Sequence, residues 1–454
     1  MKFFLQLAFF LSGTFMGAQE YNLEQIGENI FDKVIAGSNK VHLSNDGRKM
    51  TINYYGGALI FEDQNGEWIQ TDDINSNQVT LSGNGNILAY QLDNLTTVVF
   101  EDQNGEWVQI GEPIDFCGQI SLSDDGNIVV MTDFFNSDSS SINIFENQNG
   151  EWVETNSNFD DITGNLKLSN DGNIVAFFGV SNDNDEYIIR IFENQNGNWV
   201  PLGDDIIFDN STFPHFTQTI SLSGDGHTLA VQSIDGLTGF ISIYRYQTGS
   251  WNQLGNTLSG PNGFGSAISL SGNGNTIALG IPFSRDPENE GAAGGGSIFE
   301  FENGSWSDKG IDFPTFTAGG NLGSAINLSN DGTVVTIMAP TADPASGKSG
   351  YVSAFNITMI EDDILEDFPF EDNYLGKNDC TVFPNPTREN LQFSSQDLVI
   401  EKILVYNTRG HLILEEYTDE SIVNMNVSVL SSGHYFLIAV TNTGREINKR
   451  FIKE

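Results

Sequence analysis

The chain has 454 residues, of which 61 are Asp or Glu and 19 are Lys or Arg, so its formal net charge is −42. This charge argues against nucleic acid and anionic membranes as partners, because both are recognised by basic surfaces. The 48 glycines and 33 phenylalanines favour a β-rich fold with many tight turns. Cys117 and Cys380 are too few for a disulfide framework, and we expect two thiols rather than one bridge.

The N-terminus has the pattern of a secretory signal peptide. Lys2 precedes an apolar run, residues 3–15, and small residues follow at Gly17 and Ala18. No other segment approaches the roughly 20 apolar residues that a membrane-spanning helix needs. We therefore predict a signal peptide over residues 1–18 and an exported protein that is not transmembrane.

A short motif recurs seven times: Leu-Ser, one variable residue, then Asp-Gly or Asn-Gly. The Leu-Ser pairs are Leu43-Ser44, Leu81-Ser82, Leu122-Ser123, Leu168-Ser169, Leu222-Ser223, Leu270-Ser271 and Leu328-Ser329. Asp-Gly and Asn-Gly between alternating apolar runs indicate hairpins, which we expect to be primed turns with positive φ at the centre. Hairpins that recur in this way indicate a repeat architecture.

A second hairpin motif lies between successive copies of the first. It spans Phe61–Trp68, Phe100–Trp107, Phe145–Trp152, Phe192–Trp199, Tyr244–Trp251 and Phe299–Trp306, which together hold all six tryptophans. A strand such as Gln109-Ile110-Gly111 follows the Trp. Each repeat thus predicts four strands in a meander, one blade of a β-propeller. The constant place of the Trp beside a turn favours packing between blades over carbohydrate stacking.

The seventh repeat, which reaches Tyr351–Phe355, lacks a fourth strand. Residues 23–30 resemble residues 107–114, and we expect them to supply it. The fold predicted for residues 19–360 is an all-β, seven-bladed propeller in which an N-terminal strand completes the last blade. This closure removes two exposed sheet edges.

The chain changes character after residue 360. Residues 361–380 are acidic and lack the repeat, which is typical of a linker. Residues 381–454 hold seven Lys or Arg and read as short alternating strands separated by turns, so we predict a small C-terminal β-sandwich.

Residues 381–454 resemble the type A C-terminal sorting domain of the type IX secretion system. The resemblance rests on residues 382–386, 403–410, 430–436 and 449–452. It assigns the sorting signal to Pro384, Asn385, Pro386, Gly410, Gly433, Tyr435, Lys449 and Arg450. It implies a Bacteroidota-type bacterium, recognition by the type IX machinery and removal of the tail. Release or attachment to surface lipopolysaccharide would follow.

The last two propeller repeats resemble FG-GAP repeats of integrin-α-type propellers, at residues 263–271, 277–282 and 322–326. The Asp-x-Asp-x-Asp-Gly calcium loop of many such propellers does not occur in this chain. Asp183, Asp185 and Glu186 remain candidate calcium ligands, because their carboxylates are suitable hard oxygen donors. We expect no other cofactor.

A meander places its connections alternately at the two ends of each sheet. The Asp-Gly and Asn-Gly turns should share one end of the ring, the turn face. The longer, unequal connections should share the opposite end, the long-loop face, where function concentrates on a rigid scaffold. The candidate ligand-binding residues there are Phe213, His215, Phe216, Phe283, Arg285 and Phe316.

The residues predict no catalytic motif, since no Gly-x-Ser-x-Gly, His-Glu-x-x-His or P-loop pattern occurs. We therefore expect a monomeric, non-enzymatic binding or adhesion propeller for an extracellular glycan or protein. The alternative is a secreted hydrolase or lyase with its site on the same face.

Overall fold

The structure is a computed structural model. It describes residues 20–31, 40–54, 56–76, 78–92, 96–116, 118–132, 142–155, 159, 162–181, 187–208, 215–283, 294–311, 313, 320–340, 350–360, 380–395, 398–407, 412–428, 430, 433–442 and 446–453. Tyr21–Met359 form one compact unit, and Ile360–Glu454 belong to a second. Every regular element in the described residues is a β-strand, so the fold is all-β. Within this part of the chain, no helix is long and apolar enough to cross a membrane.

The strands of the first unit follow the predicted repeats. The first four repeats contain β1 (Glu20–Gln25), β2 (Ile30–Phe31), β3 (Lys40–Leu43), β4 (Lys49–Tyr54), β5 (Gly57–Asp63), β6 (Trp68–Ile74), β7 (Val79–Leu81), β8 (Ile87–Gln91), β9 (Thr97–Asp102), β10 (Trp107–Gln109), β11 (Gln119–Leu122), β12 (Ile128–Thr132), β13 (Ile142–Gln148), β14 (Glu151–Thr155), β15 (Ile162–Leu168), β16 (Ile174–Ser181), β17 (Tyr187–Gln195), β18 (Asn198–Pro201) and β19 (Ile206–Phe208). The remaining repeats contain β20 (His215–Leu222), β21 (Thr228–Asp235), β22 (Thr238–Gln247), β23 (Ser250–Gln253), β24 (Leu258–Gly260), β25 (Ala267–Leu270), β26 (Thr276–Gly280), β27 (Gly296–Glu302), β28 (Ser305–Asp308), β29 (Ala325–Leu328), β30 (Val334–Ala339) and β31 (Tyr351–Ile360).

These strands form seven antiparallel sheets within the described residues. Sheets 1 to 6 are meanders of four consecutive strands, which begin at β3, β7, β11, β15, β20 and β25. Sheet 7 has the order β1-β31-β30-β29, so its outer strand comes from the N-terminus. The short strands β2, β19 and β24 add to sheets 7, 4 and 5.

The N-terminal strand makes the contacts that a fourth strand makes elsewhere. The Ile26 N–H donates to the Ala354 carbonyl at 2.8 Å, as the Ile110 N–H donates to Val99 at 2.9 Å. Gly27 has φ +65° and lies so close to the turn of sheet 1 that a Cβ would approach the Gly66 carbonyl oxygen to 3.0 Å. Gly111 takes the same place against the turn at Gly150. Residues 23–27 and 107–111 therefore play equivalent roles.

The two kinds of turn differ, which corrects one expectation. In the Asn-Gly turns both residues have positive φ, as at Asn65 (61°) and Gly66 (87°), which is the predicted primed geometry. In the Leu-Ser turns only the glycine is left-handed, as at Gly47 (71°), and the preceding Asp or Asn is not. The Ser44 side chain explains the wider loop: its hydroxyl donates to Asp46 at 2.6 Å and accepts the Lys49 N–H at 2.9 Å.

The core lies between neighbouring sheets, where apolar strand faces pack on one another. One cluster joins Val41 and Met50 of sheet 1 to Met338 and Val352 of sheet 7. Tryptophans add hydrogen bonds across these boundaries, because the indole N–H of Trp152 donates to the Ile110 carbonyl at 3.1 Å. Trp251 and Trp306 make the same bond to Leu202 and Leu254. The Trp residues thus serve the predicted packing between repeats.

The second unit contains two antiparallel sheets in the described residues, with orders β32-β33-β36 and β35-β34-β37-β38. Their strands are β32 (Cys380–Phe383), β33 (Asn390–Ser395), β34 (Ile400–Asn407), β35 (Leu412–Tyr417), β36 (Ile422–Asn426), β37 (Gly433–Thr441) and β38 (Glu446–Lys453). Both sheets contribute to one core, for example through Phe393 and Leu437. Cys380 is a free, half-buried thiol, while Cys117 and the linker at 361–379 lie outside the described residues.

Candidate functional site at the centre of the ring

The first strands of the seven sheets surround a common axis. Each first strand contacts the first strand of the next sheet, in the order β3, β7, β11, β15, β20, β25 and β29. The last of them, β29, contacts β3 and closes the circle. We call the space that these strands enclose the axial channel. Its lining is set by the residues of the seven first strands.

The channel is bounded on the turn face by a circle of hydrogen bonds between successive Leu-Ser turns. These bonds are Asn45 N–H to Gly83 (2.7 Å), Asn84 to Asp124 (3.2 Å), Asp124 to Asn170 (2.6 Å), Asn170 to Gly224 (2.8 Å), Asp225 to Gly272 (3.0 Å), Gly272 to Asn330 (2.7 Å) and Asn330 to Asn45 (2.9 Å), each to a carbonyl oxygen. The variable residue of the motif supplies the atoms in most of these bonds. We call residues 45, 83, 124, 170, 224, 272 and 330 the hub.

Hub side chains fill the centre of this circle. Asn45 donates to the Asp124 carboxylate, and Asn170 donates to the Asn330 side-chain oxygen at 2.8 Å. Glycine at the other hub positions leaves room for them, since a Cβ at Gly272 would lie 1.8 Å from that same oxygen. Burial raises the pKa of Asp124 to about 6, with Asn45 lowering it and the charges of Asp125 and Asp171 raising it.

A second circle lies one step deeper, at the residue before each Leu-Ser pair. Four of these side chains bridge to the next first strand: Thr80 donates to Ile120 (3.4 Å), Ser221 accepts from Leu270 (3.0 Å), Ser269 accepts from Leu328 (2.9 Å) and Asn327 donates to Val41 (2.7 Å). These bonds tie neighbouring sheets together along the channel. The equivalent positions in sheets 1 and 4 are His42 and Lys167, which make no such bridge within the described strands.

Lys40, His42 and Lys167, the basic cluster, share this channel. Lys40 and Lys167 are exposed to solvent, and His42 is half-buried. Their exposure is to the solvent of the channel, which the seven first strands surround. This partial withdrawal from bulk water lowers the pKa of each lysine, and the charge of Lys40 lowers the pKa of Lys167 further. Burial, with the charges of Lys40 and Lys167, lowers the pKa of His42 to about 3. Since β3 and β15 belong to sheets 1 and 4, the cluster spans the channel.

Sequence reasoning missed both the hub and the basic cluster. The signal for the cluster was present: lysine is scarce in residues 19–360, at Lys33, Lys40, Lys49, Lys167, Lys309 and Lys348. Two of these precede a Leu-Ser pair by one or three residues, a position that points to the ring centre. The hub was hidden because the variable residue of the motif looks unconstrained within any single repeat.

The residues predicted to bind ligand are described only in part. Phe283 follows β26 and is 51% exposed, with its ring against Gly263. The backbones of His215 and Phe216 begin β20, at the end of the channel opposite the hub. Phe213, Arg285 and Phe316 lie outside the described residues, as do Asp183, Asp185 and Glu186. The described part of the chain contains no group of three metal-binding side chains.

A groove of about 650 Å³ lies on the turn face between sheets 3, 4 and 5. Glu146, Asp171, Glu193, Asp225 and His227 line it. Its aspartates already serve the turns: Asp171 accepts from Ser169 at 2.7 Å and Asp225 from Ser223 at 2.5 Å. The groove is therefore built from the turn framework.

Known structures match the first unit in fold. The β-propeller domain of Myceliophteria thermophila Cps50 (Swd1) has a TM-score of 0.50 at 10% identity, covering 73% of this chain and 99% of that chain. The WD40 repeats of RRP9 give 0.47 at 10% identity, covering 75% and 98%. Hydrazine synthase of Kuenenia stuttgartiensis gives 0.45 at 13% identity, covering 74% and 98%. No curated protein matches the sequence. The Cps50 likeness concerns fold alone and identifies the first unit as a β-propeller.

Residues 381–454 match the family described as "Secretion system C-terminal sorting domain". The second unit carries a sorting domain. It directs the protein through the type IX system to the cell surface or the medium. Within the sorting domain, the Asn385 side chain accepts the Ile452 N–H at 2.8 Å, which ties the segment after β32 to β38.

The other residues of the predicted sorting signal occupy different places in this unit. Pro384 and Pro386 flank Asn385, and both are preceded by cis peptide bonds. Gly433 begins β37, Tyr435 is buried against Phe451, and Lys449 and Arg450 lie in β38. Gly410 lies outside the described residues.

Proposed function

We propose that this chain is an exported, non-enzymatic binding protein built on a seven-bladed propeller, whose blades are sheets 1 to 7. The contact of β29 with β3 and the Asn330–Asn45 hydrogen bond support a single closed ring. The pairing of β1 with β31 supports closure by the N-terminal strand. Residues 1–18 act as the signal peptide, and the sorting domain is a small β-sandwich that the secretion machinery removes.

The observation that carries the binding role is the asymmetry of the axial channel. On the turn face the hub fills the channel with four polar side chains and a circle of hydrogen bonds. A ligand therefore enters from the long-loop face, where the first strands begin. The sequence assigns Phe213, His215, Phe216, Phe283, Arg285 and Phe316 to that face, and we propose that they supply the contact area. Among them, the described Phe283 is 51% exposed. Aromatic and arginine side chains are the usual anchors of a binding surface.

The FG-GAP character of the last repeats is part of the same proposal. Phe264 is buried, and its flanking Gly263 and Gly265 have φ of +86° and +75°. The Gly265 N–H donates to the Gly280 carbonyl at 2.9 Å, so this segment fastens β26 to the loop before β25. A structural role of this kind needs no calcium. The source is a Bacteroidota-type bacterium, since the sorting system belongs to that group.

A glycan array probed with the exported form tests this function and identifies the ligand. Phe283→Ala should weaken binding by about 1 kcal/mol or more if the ring is an anchor. Gln103→Ala and Gln148→Ala, at exposed positions beside Asn-Gly turns, should leave binding unchanged. Loss of binding from the glutamine variants alone would show that the ligand binds on the turn face and would contradict the proposal. Turnover of a bound glycan would instead favour the secreted hydrolase or lyase.

A further inference from the structure

Building on the proposed function, we propose that the axial channel is an oxyanion site, in which the basic cluster binds a sulfate, phosphate or carboxylate group at the leading end of the ligand. Lys40, His42 and Lys167 converge on this one space from opposite walls. The hub forms its floor, and the group enters from the long-loop face.

The charge pattern of the lining runs against that of the chain. Asp and Glu outnumber Lys and Arg by 61 to 19, yet none of the inward-facing positions of the first strands is acidic. These positions are Lys40, His42, Gln78, Thr80, Gln119, Ser121, Asn165, Lys167, Thr219, Ser221, Ala267, Ser269, Ala325 and Asn327. The hub below adds one carboxylate, Asp124, which accepts a hydrogen bond from Asn45. The two ammonium groups outnumber it, so the channel selects anions locally, because low-dielectric walls focus the field of the few charges inside.

The cluster is unfavourable for the protein on its own. Enclosure disfavours the charged form of each lysine, and Lys40 and Lys167 repel one another across the channel. Within the described residues Lys167 makes no ion pair, whereas Lys49 pairs with Asp102 and Lys309 with Glu302. An anion between the ammonium groups would relieve both effects. Perturbed, mutually repelling groups of this kind are typical of binding sites.

The chemistry of the donors fits a tetrahedral or planar oxyanion. Each ammonium offers three N–H donors, and the neutral His42 ring offers one more. The Ser121 hydroxyl faces the same channel and can donate. Charge-assisted hydrogen bonds to an anionic oxygen are about twice as strong as neutral ones. A neutral sugar would leave the Lys167 ammonium without a counter-charge, so the site favours ligands that carry an acidic group.

The test is calorimetric titration of the full chain at pH 7, with ionic strength held constant by sodium chloride. Sodium sulfate is the first probe, and a sulfated disaccharide with its unsulfated counterpart forms the second arm. We expect one sulfate per chain. Lys167→Gln and Lys40→Gln should each weaken binding about tenfold or more. The matched control, Arg48→Gln, removes the same charge from an exposed turn and should bind as the wild type does.

The two probes distinguish a free anion from a glycan-borne anionic group. The variants distinguish failure of the oxyanion site from failure of the binding function. Tighter binding of the sulfated disaccharide than of sulfate indicates a glycan-borne group, and equal affinity indicates a free anion; both support the site. Absence of sulfate binding, or equal weakening by Arg48→Gln, overturns it. An array ligand that needs Phe283 but tolerates Lys167→Gln leaves the binding function intact and removes only the oxyanion site. Thermal melts confirm that each variant is folded.

Discussion

The backbone N–H of Asn330 donates to the carbonyl oxygen of Asn45 at 2.9 Å, joining the last Leu-Ser turn to the first. This bond closes the hub, while the N-terminal strand closes sheet 7 at the outer edge of the ring. The ring is therefore closed twice, once at its centre by the hub and once at its outer edge by β1. The outer closure depends on a segment that is distant from β31 in the chain.

Deleting residues 21–30 should lower the melting temperature or cause aggregation, because the edge of β31 becomes exposed. The loss includes the bond from the Tyr21 hydroxyl to Glu300 at 2.8 Å and the Lys309 ammonium 4.5 Å from the Tyr21 ring centre. Differential scanning calorimetry measures the effect. Deleting residues 1–18 is the control and should leave the melt unchanged. An unaltered melt for the first deletion would contradict the role of β1.

Ser169→Ala should destabilise the propeller by about 1–3 kcal/mol, since it leaves a buried N–H unsatisfied. The hydroxyl accepts the Ile174 N–H at 2.9 Å and donates to Asp171 at 2.7 Å. Urea unfolding followed by tryptophan fluorescence measures the loss. Ser259→Ala, at an exposed position of β24, should change the unfolding midpoint little. Equal effects from the two variants would show that the hydrogen bonds of Ser169 contribute little to the free energy of unfolding.

Asp124→Asn should stabilise the protein at pH 8 and leave it unchanged near pH 4. Burial raises the pKa of Asp124 from 3.8 to about 6, so its ionisation penalises the folded state. The penalty is absent below the ordinary pKa and complete above pH 6. Urea unfolding of both proteins across pH 4–8 should give curves that diverge as the pH rises. Parallel curves would show that the hub does not raise the pKa of the Asp124 carboxyl group in the folded state.

Asp125→Asn is the matched control for that experiment and should behave in the opposite sense. Burial raises the pKa of Asp125, but hydrogen bonds from Ser123 and Asn127 outweigh it and lower the pKa overall. This carboxylate therefore contributes stability above its ordinary pKa, and the contribution is lost as the pH falls through the lowered value. The variant should lose a little stability at pH 8. The loss should be small, because Asn84 and Asn273 fill the same role in other turns.

Much of the fold could be predicted from local patterns. The Leu-Ser spacing located every first strand, and the likeness of residues 23–30 to 107–114 anticipated the pairing of β1 with β31. The geometry of the Leu-Ser turns could not be predicted from Asp-Gly alone, because the Ser44 hydroxyl reorganises the loop. The hub and the basic cluster depend on contacts between residues of different repeats. A lysine one or three residues before a Leu-Ser pair therefore marks the centre of the ring only once the repeats are placed around a common axis.

Lys167→Met should raise the melting temperature slightly, since removing a charge that Lys40 repels favours the folded state, while the solvent of the channel screens part of that repulsion. Thermal denaturation at pH 7 without added sulfate measures the change. The same variant should lose the stabilisation that sulfate gives to the wild-type chain. A fall in melting temperature would mean that Lys167 stabilises the fold.

Removing residues 381–454 should leave a folded propeller that accumulates in the periplasm of its host, because the sorting domain is absent. Immunoblots of periplasm, cell surface and medium measure the distribution, and near-ultraviolet circular dichroism checks that the propeller is folded. Export of the truncated protein in normal amounts would contradict the assignment.

The hub also bears on how such a chain can change over time. Its positions carry a side chain at Asn45, Asp124, Asn170 and Asn330 and none at Gly83, Gly224 and Gly272, and the space at the centre fits that set. A repeat copied into another position would bring a side chain where there is no room, or leave a gap where one is required. The repeats share one design, but the hub residue of each repeat fits only its own position in the circle. Exchange between them by recombination is therefore restricted at a single residue.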